Sequence, residues 1–186
     1  VFTSIKDCNV PVDVIIDFSN PAALNDLLDF ALSKKIPLVM ATTGHSDVQI
    51  KRLIEASKII PVFRSANMSL GVNLLLDLVK KATKVLEEYF DIEIIEKHHN
   101  QKLDAPSGTA LMIADAINDV MEQKLEYVYD RHSRRKKRNK NEIGIHAIRG
   151  GTIVGEYSVI FAGNDEIIEL KHSALSKDIF GIGALK

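Results

Sequence analysis

Apolar residues in the first third of the chain recur with two alternating periods. Residues 12–18, Val-Asp-Val-Ile-Ile-Asp-Phe, form a short run rich in β-branched side chains, and the run predicts a buried strand. Ser19 or Asn20 then caps a helix with Pro21 in its first turn, and Ala23, Leu27, Leu28, Ala31 and Leu32 follow helical spacing. Residues 37–41 predict a second buried strand ending at Thr42-Thr43-Gly44, residues 46–57 a second helix, and Ile59 to Phe63 a third strand. Strand, helix, strand, helix, strand with short loops is the pattern of a parallel, doubly wound sheet. Right-handed crossovers bring its strand ends to one edge, where such sheets bind ligands.

After Asn67 the units change size. Residues 70–89 predict a long amphipathic helix with Val72, Leu75, Leu76, Val79, Ala82 and Leu86 on one face. Residues 91–96 predict a strand, and residues 106–121 a helix apolar at Ala110, Ile113, Ala114, Ile117 and Met121. Runs at 144–149, 152–161 and 166–172, separated by Gly-Gly and Gly-Asn-Asp, predict consecutive strands paired antiparallel. The expected architecture is an α/β Rossmann-like parallel domain followed by an α+β domain with a mixed sheet.

Composition narrows the class without adding a function. The 186 residues are 46% hydrophobic and 26% charged, a globular balance. Twenty-four basic against 25 acidic side chains give a net charge of −1, so no global field favours nucleic acid or an anionic membrane. No apolar run approaches the roughly 20 residues of a membrane helix. The single cysteine, Cys8, excludes an internal disulfide framework and fits a reducing, cytoplasmic setting, with no partner that makes it catalytic. The start at Val1 and the stop at Lys186, in mid-pattern, read as a stretch of a longer polypeptide.

One segment carries chemistry: Glu96-Lys97-His98-His99-Asn100-Gln101-Lys102-Leu103-Asp104-Ala105-Pro106-Ser107-Gly108-Thr109-Ala110. It reads as a loop between a strand and a helix, on a rigid support. Two histidines and a lysine within five residues gather groups that move protons. Pro106 at a first helical position leaves the N–H groups of Ser107, Gly108 and Thr109 without helical partners. With the Ser107 and Thr109 hydroxyls and the helix dipole they predict an anion cradle, which Gly108 lets a ligand approach closely. Pro-Ser-Gly-Thr is also an ordinary helix cap, and paired histidines also decorate surfaces. A metal site lacks further ligands at suitable spacing, so none is expected.

This segment resembles the signature of the 4-hydroxy-tetrahydrodipicolinate reductase (dihydrodipicolinate reductase) family of the diaminopimelate route to lysine. The match comprises Glu96, His98, His99, Lys102 and Asp104 through Ala110. The resemblance continues at residues 16–19, at Ala41-Thr42-Thr43-Gly44, at 66–73, at Arg149-Gly150-Gly151 and at Val154-Gly155-Glu156. It implies that His98 is a proton donor and acceptor and Lys102 a second donor. It further implies that His99, Ser107, Gly108 and Thr109 bind the carboxylates of a cyclic dicarboxylate substrate. Ala41, Thr42, Thr43, Ser65, Ala66, Asn67 and Met68 would contact NADH or NADPH at the strand-end loops. The implied reaction is hydride transfer to ring C4 after the hydroxyl leaves as water, in a cytoplasmic homotetramer. The implied domains are 1–68 (partial dinucleotide-binding), 69–175 (substrate binding and oligomerisation) and 176–186 (a return segment).

Departures and rivals complete the picture. The family's Gly-x-x-Gly-x-x-Gly phosphate loop and the residue that selects NAD or NADP are absent, so these residues alone should hold a dinucleotide poorly. Ala41 stands where glycine is common, and Lys177, before Phe180, where an arginine is expected. Residues 131–140 carry seven Lys or Arg in ten, which reads as a solvated loop, a phosphate-backbone patch or a source of local positive potential. His45, His146 and His172 read as structural, and the four tyrosines form no stacking platform. Two other classes therefore stay open: a non-catalytic dicarboxylate-binding oligomer, and a nucleic-acid-binding module using the basic loop.

Overall fold

The computed structural model describes all 186 residues. They form two compact units, residues 1–68 with 184–186, and residues 69–183.

In the first unit β1 (Ile15–Asp17), β2 (Leu38–Met40) and β3 (Val62–Arg64) pair in parallel in the order β1-β2-β3. Helix α1 (Leu24–Lys34) and helix α2 (Asp47–Ala56) are the crossovers. Leu24, Leu27 and Leu28 of α1 and Leu53 and Ala56 of α2 pack with Leu38 and Met40 of β2. Asn20 caps a short 3-10 turn over Pro21–Ala23 that leads into α1. Ser46 and Gln49 form a reciprocal capping box at the start of α2. The first strand is shorter than residues 12–18 suggest. The third starts at Val62 rather than Ile59, because the amides of Ile59 and Ile60 bond back to the Ala56 carbonyl as α2 ends.

The second unit is built on a five-stranded mixed sheet, order β5-β6-β4-β7-β8. Its strands are β4 (Asp91–His98), β5 (Glu126–Val128), β6 (Glu142–Arg149), β7 (Gly155–Ala162) and β8 (Ile167–Ala174). Strands β5, β6 and β4 are parallel; β7 and β8 run antiparallel to them. Helices α3 (Leu70–Leu86) and α4 (Gly108–Asn118) cover one face, and α5 (Asp178–Ala184) closes the chain. Ile92 and Ile94 of β4, Ile143 and Ile145 of β6, and Val159 and Phe161 of β7 meet Leu75 and Val79 of α3 and Ile113, Ala114 and Ile117 of α4. Each fully buried Ile or Val contributes roughly 1.5–3 kcal/mol, which pins α4 to the sheet.

Two sequence expectations change here. Strands β6 and β7 are not a hairpin, because β4 lies between them. Strands flanking a common neighbour stand roughly 9–10 Å apart, too far for a two-residue turn. The Gly150-Gly151 segment bridges that gap over the end of β4, with the Gly150 amide donating to the His98 carbonyl (2.9 Å) and the Asn100 amide to the Gly151 carbonyl (3.2 Å). Gly151 takes a left-handed φ of 47°, a conformation that favours glycine. Second, β4 extends through His98, so Glu96, Lys97 and His98 lie on a paired strand rather than in a loop.

The basic loop is also more than solvated. Arg131 bonds to Glu93 and Glu142, and Arg138 bonds to Asp91 and Glu93 and to the carbonyls of Ile92 and Glu142. His146 Nε2 joins Glu93 at 2.8 Å. The Glu93 carboxylate lies against Gly144, where a Cβ would collide with it. These arginines tie residues 131–142 to the start of β4, which leaves fewer charges for a nucleic-acid backbone.

Candidate active site

The alternation of β4 sets the site. Ile92, Ile94, Glu96 and His98 are all buried and face the helices, so the last two inward positions put a carboxylate and an imidazole where the apolar core ends. Glu96 has no solvent exposure and is fully partnered. Arg149, the last residue of β6, grips both of its oxygens at 2.8 Å, and the Ser107 amide donates to it at 3.1 Å. His98 Nδ1 lies 2.5 Å from its Oε2. Arg149 also donates to the Asp104 carbonyl at 2.7 Å, fastening residues 99–107 to the sheet. Lys102 Nζ pairs with Asp104 at 2.7 Å.

The electrostatics follow from these contacts. Burial pushes the Glu96 carboxyl upward. The hydrogen bonds from Arg149, His98 and the Ser107 amide outweigh it and hold the group below its ordinary value, so it is ionised at neutral pH. Burial lowers His98 below the usual 6.5, Glu96 offsets part of this, and Lys102 and Arg149 add to it. His98 is therefore neutral at pH 7. Burial likewise lowers His172.

Each of these groups binds protons less readily folded than unfolded, so stability is greatest above the unfolded imidazole value of 6.5 and falls as pH drops below it. A second loss begins below 4.5, as Glu96, Glu93 and Glu142 approach their depressed folded values. Thermal melts from about pH 8 to about pH 4 should show Tm falling on the acid side in both windows. A flat profile would contradict the assignment.

The start of α4 differs from the expected cradle. Helix α4 starts at Gly108, with Ser107 as N-cap accepting from the Ala110 amide at 3.2 Å, so Pro106 precedes the helix rather than opening it. The Ser107 amide is taken by Glu96 and so is not available to a ligand. Gly108 is exposed, and a Cβ there would meet nothing within 4 Å, so the approach is open. His99, half-buried, follows the last residue of β4. His98, His99, Lys102, Ser107, Gly108 and Thr109 thus belong to one strand end, one clamped loop and one helix start. Glu96, Arg149 and Tyr157 complete the group. Alternation along β4 signals Glu96; nothing local signals the other two, which arrive through sheet pairing.

In the first unit the strand-end loops share the C-terminal edge of the parallel sheet. The Ala41 and Thr42 amides both donate to the Asp17 carbonyl, at 2.9 and 3.0 Å, and Ser65 Oγ donates to the Asn67 carbonyl at 2.8 Å. Thr42, Asn67 and Met68 are buried and Ala41 and Ser65 half-buried, so Thr43 and Ala66 are the exposed members. Gly44 has a φ of 83°, and beside it His45 holds two buried ring nitrogens without partners. The starts of α1 and α2 offer no glycine-rich pyrophosphate cradle: α1 continues from the Pro21–Ala23 turn, and Ser46 caps α2. No group of three or more His, Cys, Asp or Glu is placed to hold a metal ion, and no helix is long and apolar enough to cross a membrane.

Comparison with known proteins agrees with this geometry. Residues 1–68 match the family described as dihydrodipicolinate reductase, N-terminus, and residues 71–186 its C-terminus. The chain is 60% identical over all 186 residues to the 4-hydroxy-tetrahydrodipicolinate reductase of Caldanaerobacter subterraneus subsp. tengcongensis and covers 74% of that protein. It is 56% identical to the enzyme of that name from Clostridium tetani, covering 72% of it. The solved dipicolinate-bound dihydrodipicolinate reductase from Paenisporosarcina sp. TG-14 superposes with a TM-score of 0.73 at 26% identity, over 93% of this chain and 66% of that one. From its first residues to its last, this chain belongs to the dihydrodipicolinate reductase family of pyridine-nucleotide-dependent oxidoreductases.

Proposed function

We propose that the protein reduces 4-hydroxy-tetrahydrodipicolinate to tetrahydrodipicolinate with NADH or NADPH. The observation that carries this reading is the cluster at the end of β4, where an imidazole, an ammonium and an open helix start adjoin on rigid supports. A planar ring with two carboxylates suits it. One carboxylate meets the Gly108 and Thr109 end of α4, where the helix dipole favours negative charge, with His99 beside it. The dipicolinate bound by the Paenisporosarcina relative is such a dicarboxylate.

A reduced nicotinamide, when bound, would supply the hydride, and Ala41, Thr42, Thr43, Ser65, Ala66, Asn67 and Met68 at the strand-end loops would hold the dinucleotide, Thr43 and Ala66 being the exposed members. The chain's own residues supply protons. Loss of the hydroxyl as water takes one proton to the oxygen and gives one up from the carbon next to C4. The ring takes one proton after hydride arrives at C4, so one proton is taken up in all. His98 and Lys102 are the two donors at hand. The Lys102 ammonium also stabilises negative charge developing on the ring. The same proposal takes residues 1–68 as part of a dinucleotide-binding domain, 69–175 as the substrate-binding and oligomerisation domain, and 176–186 as the return segment to the dinucleotide-binding domain. It takes the assembly as a cytoplasmic homotetramer.

The test follows NADH and NADPH oxidation by absorbance, with substrate generated in situ from pyruvate and aspartate semialdehyde. Turnover with either cofactor supports the proposal and sets the preference. A folded protein that binds pyridine-2,6-dicarboxylate without oxidising either cofactor is instead a dicarboxylate-binding relative.

A further inference from the structure

The imidazole assigned to proton transfer has no open nitrogen. His98 is 6% exposed; Nδ1 faces the wholly buried Glu96, and Nε2 lies 3.1 Å from the Tyr157 hydroxyl. The two rings meet edge to face, with centroids 5.6 Å apart. We propose that Tyr157 is the residue through which His98 exchanges its proton, as the far end of a Glu96–His98–Tyr157 relay. The proposal rests on the reading of His98 as a proton donor and extends it to a residue on a different strand.

The direction of each hydrogen bond follows from charge. Glu96, gripped by Arg149 and the Ser107 amide, is a carboxylate and accepts only, so His98 carries its hydrogen on Nδ1. In the neutral ring Nε2 is then an acceptor, and the Tyr157 O–H donates to it. The resting ring is neutral, so it first takes up a solvent proton, which arrives through the phenol; as imidazolium its Nε2–H donates to the phenol oxygen and the phenol hydrogen points elsewhere. The transfer balances. The phenol O–H bond breaks as its proton joins the electron pair on the reduced ring, and the Nε2 proton passes to the phenol oxygen. Imidazolium becomes imidazole, and no oxidant or reductant beyond the hydride is needed.

The groups around the relay are fixed on several elements. Arg149 reaches in from β6, Lys102 from the clamped loop, and His172 of β8 pairs in register with Tyr157 on β7. Gly155 leaves room beside the imidazole, since a Cβ there would sit 3.2 Å from His98 Nε2. Tyr157 is itself 6% exposed, so the phenol covers Nε2, and a proton leaving or reaching that nitrogen passes its hydroxyl. Glu96 acts as a positioning residue that sets the tautomer.

The experiment compares Tyr157→Phe, His98→Gln and the double variant in the complete polypeptide, by steady-state kinetics with the in situ substrate. His98→Gln should lower kcat by about 10²-fold. Tyr157→Phe should lower kcat by a similar factor with KM nearly unchanged and Tm preserved. The double variant should fall no further than His98→Gln, and the solvent deuterium isotope effect on kcat should shrink in Tyr157→Phe. Independently, 15N spectra of the unmodified protein should show Nδ1 protonated and Nε2 bare, and only the Nε2 resonance should move in Tyr157→Phe. Full or raised kcat in Tyr157→Phe beside a crippled His98→Gln overturns the relay and leaves His98 acting directly. Full kcat in His98→Gln overturns the assignment of His98 itself. A ring protonated on Nε2 and bare on Nδ1 overturns the relay whatever the kinetics show.

Discussion

Glu96→Ala is expected to cost about 3–5 kcal/mol of folding stability, a large share of what a domain of ordinary stability holds. The carboxylate is fully buried, and one substitution strands three groups. The Arg149 guanidinium, 20% exposed, loses both bonds to it, the Ser107 amide loses its acceptor at the start of α4, and His98 loses the partner that orients its ring. Leaving one member of a buried pair uncompensated is what makes such changes expensive, since the remaining charge keeps its desolvation penalty. Glu96→Gln keeps the shape and an acceptor and should cost less. The contrast is Lys58→Ala, which breaks a pair whose side chains are 64% and 67% exposed, and should change stability by less than about 1 kcal/mol. Urea denaturation of the three variants checks the ranking through midpoints at constant slope. Equal midpoints for Glu96→Ala and Lys58→Ala would mean that the cluster does not hold the second unit together.

The same residues show how far the sequence could be read. The parallel unit was legible because β-branched runs and helical stripes alternate cleanly, and Asn20 and Ser46 mark where its helical segments start. The loop bearing His98 to Thr109 stood out because its residue types are chemically dense. What local pattern did not carry was pairing. That β4 separates β6 from β7 depends on contacts remote in sequence, and so does the arrival of Arg149 and Tyr157 beside His98. Position β5 was hidden for another reason: three residues are too few to show a period. Charge density misled at residues 131–140, because a count of arginines does not reveal that Asp91, Glu93 and Glu142 wait on the sheet. Ser107 illustrates a subtler point. Its amide is one of the helix-start donors, yet the anion it serves belongs to the protein itself.

That internal anion shifts the burden of substrate protonation toward Lys102. His98 is sealed between Glu96 and Tyr157, whereas the Lys102 side chain is 21% exposed and sits on a loop held by Arg149. Its partner Asp104 is 58% exposed, so solvent screens the pair and the ammonium keeps charge to spend on a ligand. A cation at that point serves the departing hydroxyl with a proton and the electron-rich ring with a field, and both effects are stronger in the transition state than in the bound substrate. Lys102→Met should therefore lower kcat by about 10²-fold to 10³-fold with a modest change in KM. Asp104→Asn removes only the screened partner and should leave kcat within a few-fold. Thr109→Val, at the helix start, should raise KM with little effect on kcat, because it touches ground state and transition state alike. Steady-state kinetics on the three variants separate these roles. A Lys102→Met enzyme with full kcat and raised KM would make the lysine a carboxylate binder and return both protonations to the relay through Tyr157.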